Sequence, residues 1–136
     1  MIDFLKRNPL LVALALVLVL ALRDPQSGID SPTTESGLRV LIIEDVTERV
    51  RLPAGQIEQL TSDADGSLIA YLKANAKEWA LIDQADGVEL ASESIRQLAE
   101  YPRQESPWIV AGNGKRGYAG PLGETSGETI KKLKGL

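Results

Sequence analysis

A mixed α/β fold with the element order β-α-β-α-β-β-α is predicted by three observations. From residue 38 onward, segments with strand character alternate with segments of helical spacing. The first strand segment, LRVLIIE at 38–44, is almost wholly apolar and rich in β-branched residues, as in a strand buried on both faces. Asn113-Gly114, between two apolar runs, marks a tight hairpin.

Polar Asp45 to Arg51 follows the first strand. Pro53 suits the first turn of a helix whose Ile57 and Leu60 share a face. Asp63-Ala-Asp-Gly breaks the pattern, and Asp65 is placed to cap a second helical piece with Leu68, Ile69 and Leu72 inward. Trp79 to Asp83 reads as a second strand closed by Asp86-Gly87. Ser92 or Ser94 caps a helix carrying Ile95, Leu98 and Ala99, which Pro102 stops. Pro107 to Ala111 is a third strand, and Lys115 to Ala119 returns as a fourth. Thr125 and Glu128 form a capping box for a last helix with Ile130 and Leu133 inward. Lys131, Lys132 and Lys134 complement its C-terminal dipole.

Composition removes several chemistries. The 136 residues include no Cys and no His. Disulfides, thiol exchange, Cys/His zinc sites and Ser-His or Cys-His nucleophile pairs are therefore excluded. A net charge of -4 and a pI near 4.9 argue against nucleic acid as a partner.

Leu10 to Leu22 is an unbroken run of Leu, Val and Ala after Lys6, Arg7 and Pro9. Its thirteen residues span about 20 Å as a helix, against about 30 Å of hydrocarbon. With Phe4 and Leu5 added, and Lys6 and Arg7 snorkelling, residues 1–23 are expected to form a hydrophobic signal-anchor or signal-peptide helix. An uncleaved transmembrane helix and a cleaved signal both remain open. The preceding positive charges predict a single-pass membrane protein with a cytoplasmic N-terminus and a periplasmic or extracytoplasmic C-terminal domain. If the signal is cleaved, the domain is exported. Residues 24–37, DPQSGIDSPTTESG, read as a flexible linker, and 38–136 as the folded domain.

The element order, the Ser106-Pro107 dipeptide opening the third strand, and the ending PWIVAGNGKRGYAGPL before a short helix resemble the thioredoxin fold. The ending is similar to that of thioredoxin-like proteins of bacterial and phage genomes. The resemblance covers residues 38–136 and implies a thioredoxin-like sandwich with sheet order 2-1-3-4, preceded by the N-terminal hydrophobic helix. It also implies a cis Ser106–Pro107 bond beside the loop after the first strand. The C-x-x-C that thioredoxins carry in that loop is replaced here by Asp45-Val-Thr-Glu-Arg-Val-Arg-Leu52, so the likeness extends to fold and not to activity.

What the resemblance leaves is a groove. Asp45, Val46, Ser106, Pro107 and Trp108 are its candidate binding residues; core or half-buried packing is the default for Trp108, which becomes a recognition anchor if alternation turns it to the rim. Glu44, Asp45 and Glu48 at a strand's carboxyl end have the chemistry to bind Ca²⁺ or Mg²⁺, but they suit a solvated loop with Arg49 and Arg51 as counter-charges better. Asp63-Ala-Asp-Gly lacks the distal Glu of a calcium loop, and Asn113-Gly-Lys lacks the following helix of a phosphate loop. No catalytic residue, metal site or cofactor is expected. The function expected is a membrane-tethered, redox-inactive module that binds protein or peptide outside the cytoplasm. The alternative is a structural subunit of an envelope or virion assembly.

Overall fold

The computed structural model describes residues 27–136. The expected helix over 1–23 lies outside the described residues. Among the described residues five strands and five helices are formed: β1 (Ser27–Asp30), β2 (Arg39–Glu44), a 3₁₀ helix (Val46–Arg51), α1 (Ala54–Thr61), α2 (Leu68–Asn75), β3 (Glu78–Asp83), α3 (Glu93–Glu100), β4 (Trp108–Gly112), β5 (Arg116–Pro121) and α4 (Ser126–Lys134).

The strands form one mixed sheet ordered β1-β5-β4-β2-β3. This corrects the expected four-stranded thioredoxin-like sandwich of order 2-1-3-4. The fifth strand, β1, comes from the segment read as a linker and runs antiparallel to β5, with Ser27 opposite Tyr118 and Asp30 opposite Arg116. Side-chain composition does not reveal such a strand, because backbone hydrogen bonds to an open edge hold it. A second device seats the chain that follows. Gly112 and Gly117 are register partners, and a Cβ on either would collide with Ser31 or Pro32. The two glycines thus make a flat patch on which residues 31–33 lie. Thr33 is buried there, and the Ser31 hydroxyl accepts from Gly114 N at 3.1 Å.

β2 is buried along its whole length, between β4 and β3. Its side chains alternate between two cores. Val40 and Ile42 pack with Leu60 of α1, Leu68 and Leu72 of α2, and Leu133 of α4. Leu41 and Ile43 pack with Ile95 and Leu98 of α3, and with Trp108. Three helices therefore cover one face and α3 the other.

The helix starts follow local chemistry. Ser92 accepts from Ile95 N at 3.2 Å, and Thr125 accepts from Glu128 N at 3.2 Å. Two details depart from expectation. Ser67, not Asp65, caps α2, because Gly66 at φ +84° turns the chain one step later. Pro53 is the N-cap of α1 rather than its first helical residue. A buried polar clasp joins α1 to α4: Gln59 Nε2 donates to Gly123 O at 2.7 Å, and the Thr129 hydroxyl donates to Gln59 Oε1 at 2.5 Å.

No helix among the described residues is long and apolar enough to cross a membrane. The α-helices have eight or nine residues, about 12–14 Å of rise against about 30 Å of hydrocarbon. Against the expected single-pass membrane placement with its transmembrane signal-anchor helix, the described residues thus supply no spanning helix, and segment 1–23, on which that expectation rests, lies outside them.

Candidate functional site

The end of β2 and the beginning of β4 lie side by side, because the strands are antiparallel and Ile43 is the register partner of Trp108. The segment after β2 and the segment before β4 are thereby brought to one end of the sheet. Each is built differently.

After β2 the chain tightens into the 3₁₀ helix. Asp45 caps it, accepting from Thr47 N at 3.0 Å. Arg49 turns back to the buried Glu44 carboxylate, with Nε to Oε2 at 3.0 Å and Nη2 to Oε1. That pairing raises the Arg49 pKa above the ordinary arginine value, first through the hydrogen bond to Glu44, against a smaller opposing effect of burial. The acidic loop residues are thus spent on separate tasks: Glu44 on Arg49, Asp45 on the cap and Glu48 on Arg51 at 3.2 Å. No group of three acidic side chains suited to a metal ion occurs among the described residues.

Before β4 the chain is exposed from Pro102 to Ser106. The Ser106–Pro107 bond is cis, as the resemblance implies. Pro107 is buried, and its carbonyl accepts from Leu122 N at 3.1 Å. Among the described residues, no backbone group of Arg103 to Ser106 has a protein partner. Two clefts flank this stretch. One, of about 30 Å³, is lined by Ile43, Gln84, Ser106 and Trp108 together with Arg103 to Glu105. The other, of about 130 Å³, is lined by Gln56, Glu105, Ser106, Pro107 and Pro121. Glu105 and Ser106 belong to both.

The five residues chosen from sequence are distributed unevenly around this feature. Ser106 and Pro107 line it. Trp108 forms its floor rather than its rim: it is 4% exposed and packed into the α3-side core. Its indole N–H is buried without an acceptor among the described residues. Asp45 is linked indirectly, since its Oδ2 accepts from Gln84 Nε2 at 3.2 Å and Gln84 lines the smaller cleft. Val46 is 44% exposed on the 3₁₀ helix and lines neither cleft. Sequence reasoning missed Gln56, Gln84 and the Arg103–Glu105 stretch. The polarity of RQES between Pro102 and Pro107 was the available signal for the last of these.

Comparison of the chain with family models, curated proteins and solved structures finds no match.

Proposed function

We propose that the domain is a binding module for an extended stretch of polypeptide, held across Ser106–Pro107. The observation that carries this reading is the run of backbone from Arg103 to Ser106, without a partner among the described residues, between two clefts. A peptide laid there gains main-chain hydrogen bonds, as in strand addition, while its side chains enter the clefts on either side. The exposed polar groups of Arg103, Gln104 and Glu105 supply selectivity. Thiol chemistry plays no part, because the chain has no Cys.

A binding module is also favoured over a permanent structural subunit by the surface. Val46, Val50 and Leu90 are the exposed large hydrophobics of the described residues, too few for the broad apolar patch that an obligate interface needs. The test is selection of peptides from a random library on the wild-type chain. Titration of a selected peptide into wild-type and Ser106→Arg chains follows. Ser106 is exposed and common to both clefts, so the substitution abolishes binding without unfolding the domain. Equal binding by the two chains overturns the proposal.

A further inference from the structure

The hairpin between β4 and β5 turns at residues 113–116, where Asn113 N donates to Arg116 O at 3.0 Å. A hairpin tip ordinarily stands in solvent. Here Asn113 and Gly114 are half-buried, and only Lys115 and Arg116 are exposed. The chain between β1 and β2 lies across Gly114 so closely that a Cβ there would stand 2.8 Å from Glu35 O and 3.2 Å from Ser36 Cα. Leu136, beyond α4, lies against Asn113.

Asn113 is the one asparagine of the chain that precedes a glycine. That pair is open to deamidation, because no Cβ obstructs the glycine nitrogen as it approaches the asparagine side chain. The Gly114 nitrogen loses its proton to solvent base and attacks Asn113 Cγ. The Cγ–Nδ2 bond breaks, ammonia leaves, and a five-membered succinimide closes. Water then opens the ring at either carbonyl. The product at position 113 is an aspartate, or an isoaspartate with one extra carbon in the backbone.

The fold engages both reacting groups. Asn113 Oδ1 accepts from Lys115 N at 2.9 Å and from Arg116 N at 2.8 Å, and Nδ2 donates to Leu136 O at 3.2 Å. The attacking nitrogen is held as well, since Gly114 N donates to Ser31 Oγ at 3.1 Å. Ser31 is fixed in turn, its hydroxyl donating to Thr33 O at 2.8 Å, and Thr33 is buried on the glycine patch.

We propose that Asn113–Gly114 is a deamidation site gated by residues 31–36. With this strap seated, the Gly114 N–H is shielded from base and the reaction stops. It runs only through molecules whose strap has lifted, at a rate set by their fraction. The change is one-way. An isoaspartate lengthens the backbone beside Gly114, where Glu35 and Ser36 leave no room for another carbon. An aspartate sets an oxygen against Leu136 O in place of a donor. Each released strap is thus recorded as a permanent loosening of the hairpin tip.

The test is peptide-mapping mass spectrometry of the full-length chain after incubation in mildly alkaline buffer, beside a synthetic peptide of residues 111–117. Wild-type Asn113 is expected to react at least about tenfold more slowly than the peptide. Ser31→Ala removes the acceptor, and Thr33→Arg lifts the strap with a side chain that cannot be buried there. Each is expected to speed the reaction about tenfold. Arg49→Ala destabilises the opposite end of the sheet and separates local gating from global unfolding; its rate stays at the wild-type value. Hydrogen exchange of the reacted fraction is expected to show amides 31–36 unprotected. A wild-type rate equal to that of the peptide overturns the proposal. So do strap variants that react no faster than wild type, or an Arg49→Ala chain that reacts as fast as they do.

Discussion

Arg49 donates to the Glu44 carboxylate through both Nε and Nη2, at the point where β2 leaves the sheet and the 3₁₀ helix begins. The Glu44 side chain is 3% exposed and that of Arg49 is 31% exposed. The pair fixes the segment that carries Asp45, and through Gln84 it borders the smaller cleft. Removing Arg49 strands a buried carboxylate. Arg49→Ala is expected to cost about 3 kcal/mol, the lower end for a broken buried pair, because the guanidinium keeps some contact with water. Glu44→Gln leaves no buried charge and costs less. Urea denaturation of both variants measures the difference, and equal costs contradict the assignment.

The pH dependence of this pair follows from the direction of the Arg49 shift. Its pKa is raised in the folded state, so the stabilisation is complete below the unfolded arginine value. On the alkaline side it is lost as pH rises past the range where arginine itself deprotonates. The chain also has no His, the side chain that ordinarily changes charge between about pH 5 and 8. The urea midpoint is expected to stay flat from pH 6 to about pH 8. A sloping midpoint across that window reveals a titrating group that this account omits.

Thr129 and Gln59 carry a separate load. The Thr129 hydroxyl donates to Gln59 and accepts from Gly123 N at 3.0 Å, so it serves two buried groups at once. Thr129→Val preserves shape and removes both bonds. The expected loss is about 2–3 kcal/mol, with Thr129→Ser recovering most of it. A loss below 1 kcal/mol, measured the same way, shows that water takes over the clasp.

Truncation tests the fifth strand. A chain beginning at Ser27 retains β1, the Thr33 burial and the Ser31–Gly114 bond, whereas one beginning at Leu38 loses all three. The shorter chain is expected to be less stable by about 2–4 kcal/mol, the sum of several lost hydrogen bonds and modest burial. Gly117→Ala in the longer chain mimics part of this, because its Cβ would sit 2.7 Å from Pro32 Cδ and 2.8 Å from Ala111 O. Equal stability of the two truncations returns residues 27–37 to the role of a tether.

Legibility in the sequence tracked how local the cause was. The unbroken apolar pattern of 39–44 announced the central strand, Thr125 with Glu128 announced a helix start, and Asn113 with Gly114 announced the hairpin. β1 was hidden because its cause is non-local: an open edge on β5 and a glycine pair shared by β5 and β4. Trp108 takes the core position that is the default for a tryptophan, and not the rim position that alternation also allowed. Alternation offers two faces, and both faces of this sheet are covered, so neither leaves a tryptophan at the rim. Gln84 and Gln56 reach the clefts from elements distant in sequence, and no spacing rule connects them with Ser106.

The binding reading is tested most directly by nuclear magnetic resonance of the ¹⁵N-labelled chain during titration with a library-selected peptide. The account predicts shifts confined to the amides of Arg103 to Ser106, the side-chain amides of Gln56 and Gln84, and the Trp108 indole N–H beneath the smaller cleft. Saturable binding whose shifts lie elsewhere on the domain, with the Trp108 indole and the Arg103–Ser106 amides unmoved, contradicts it.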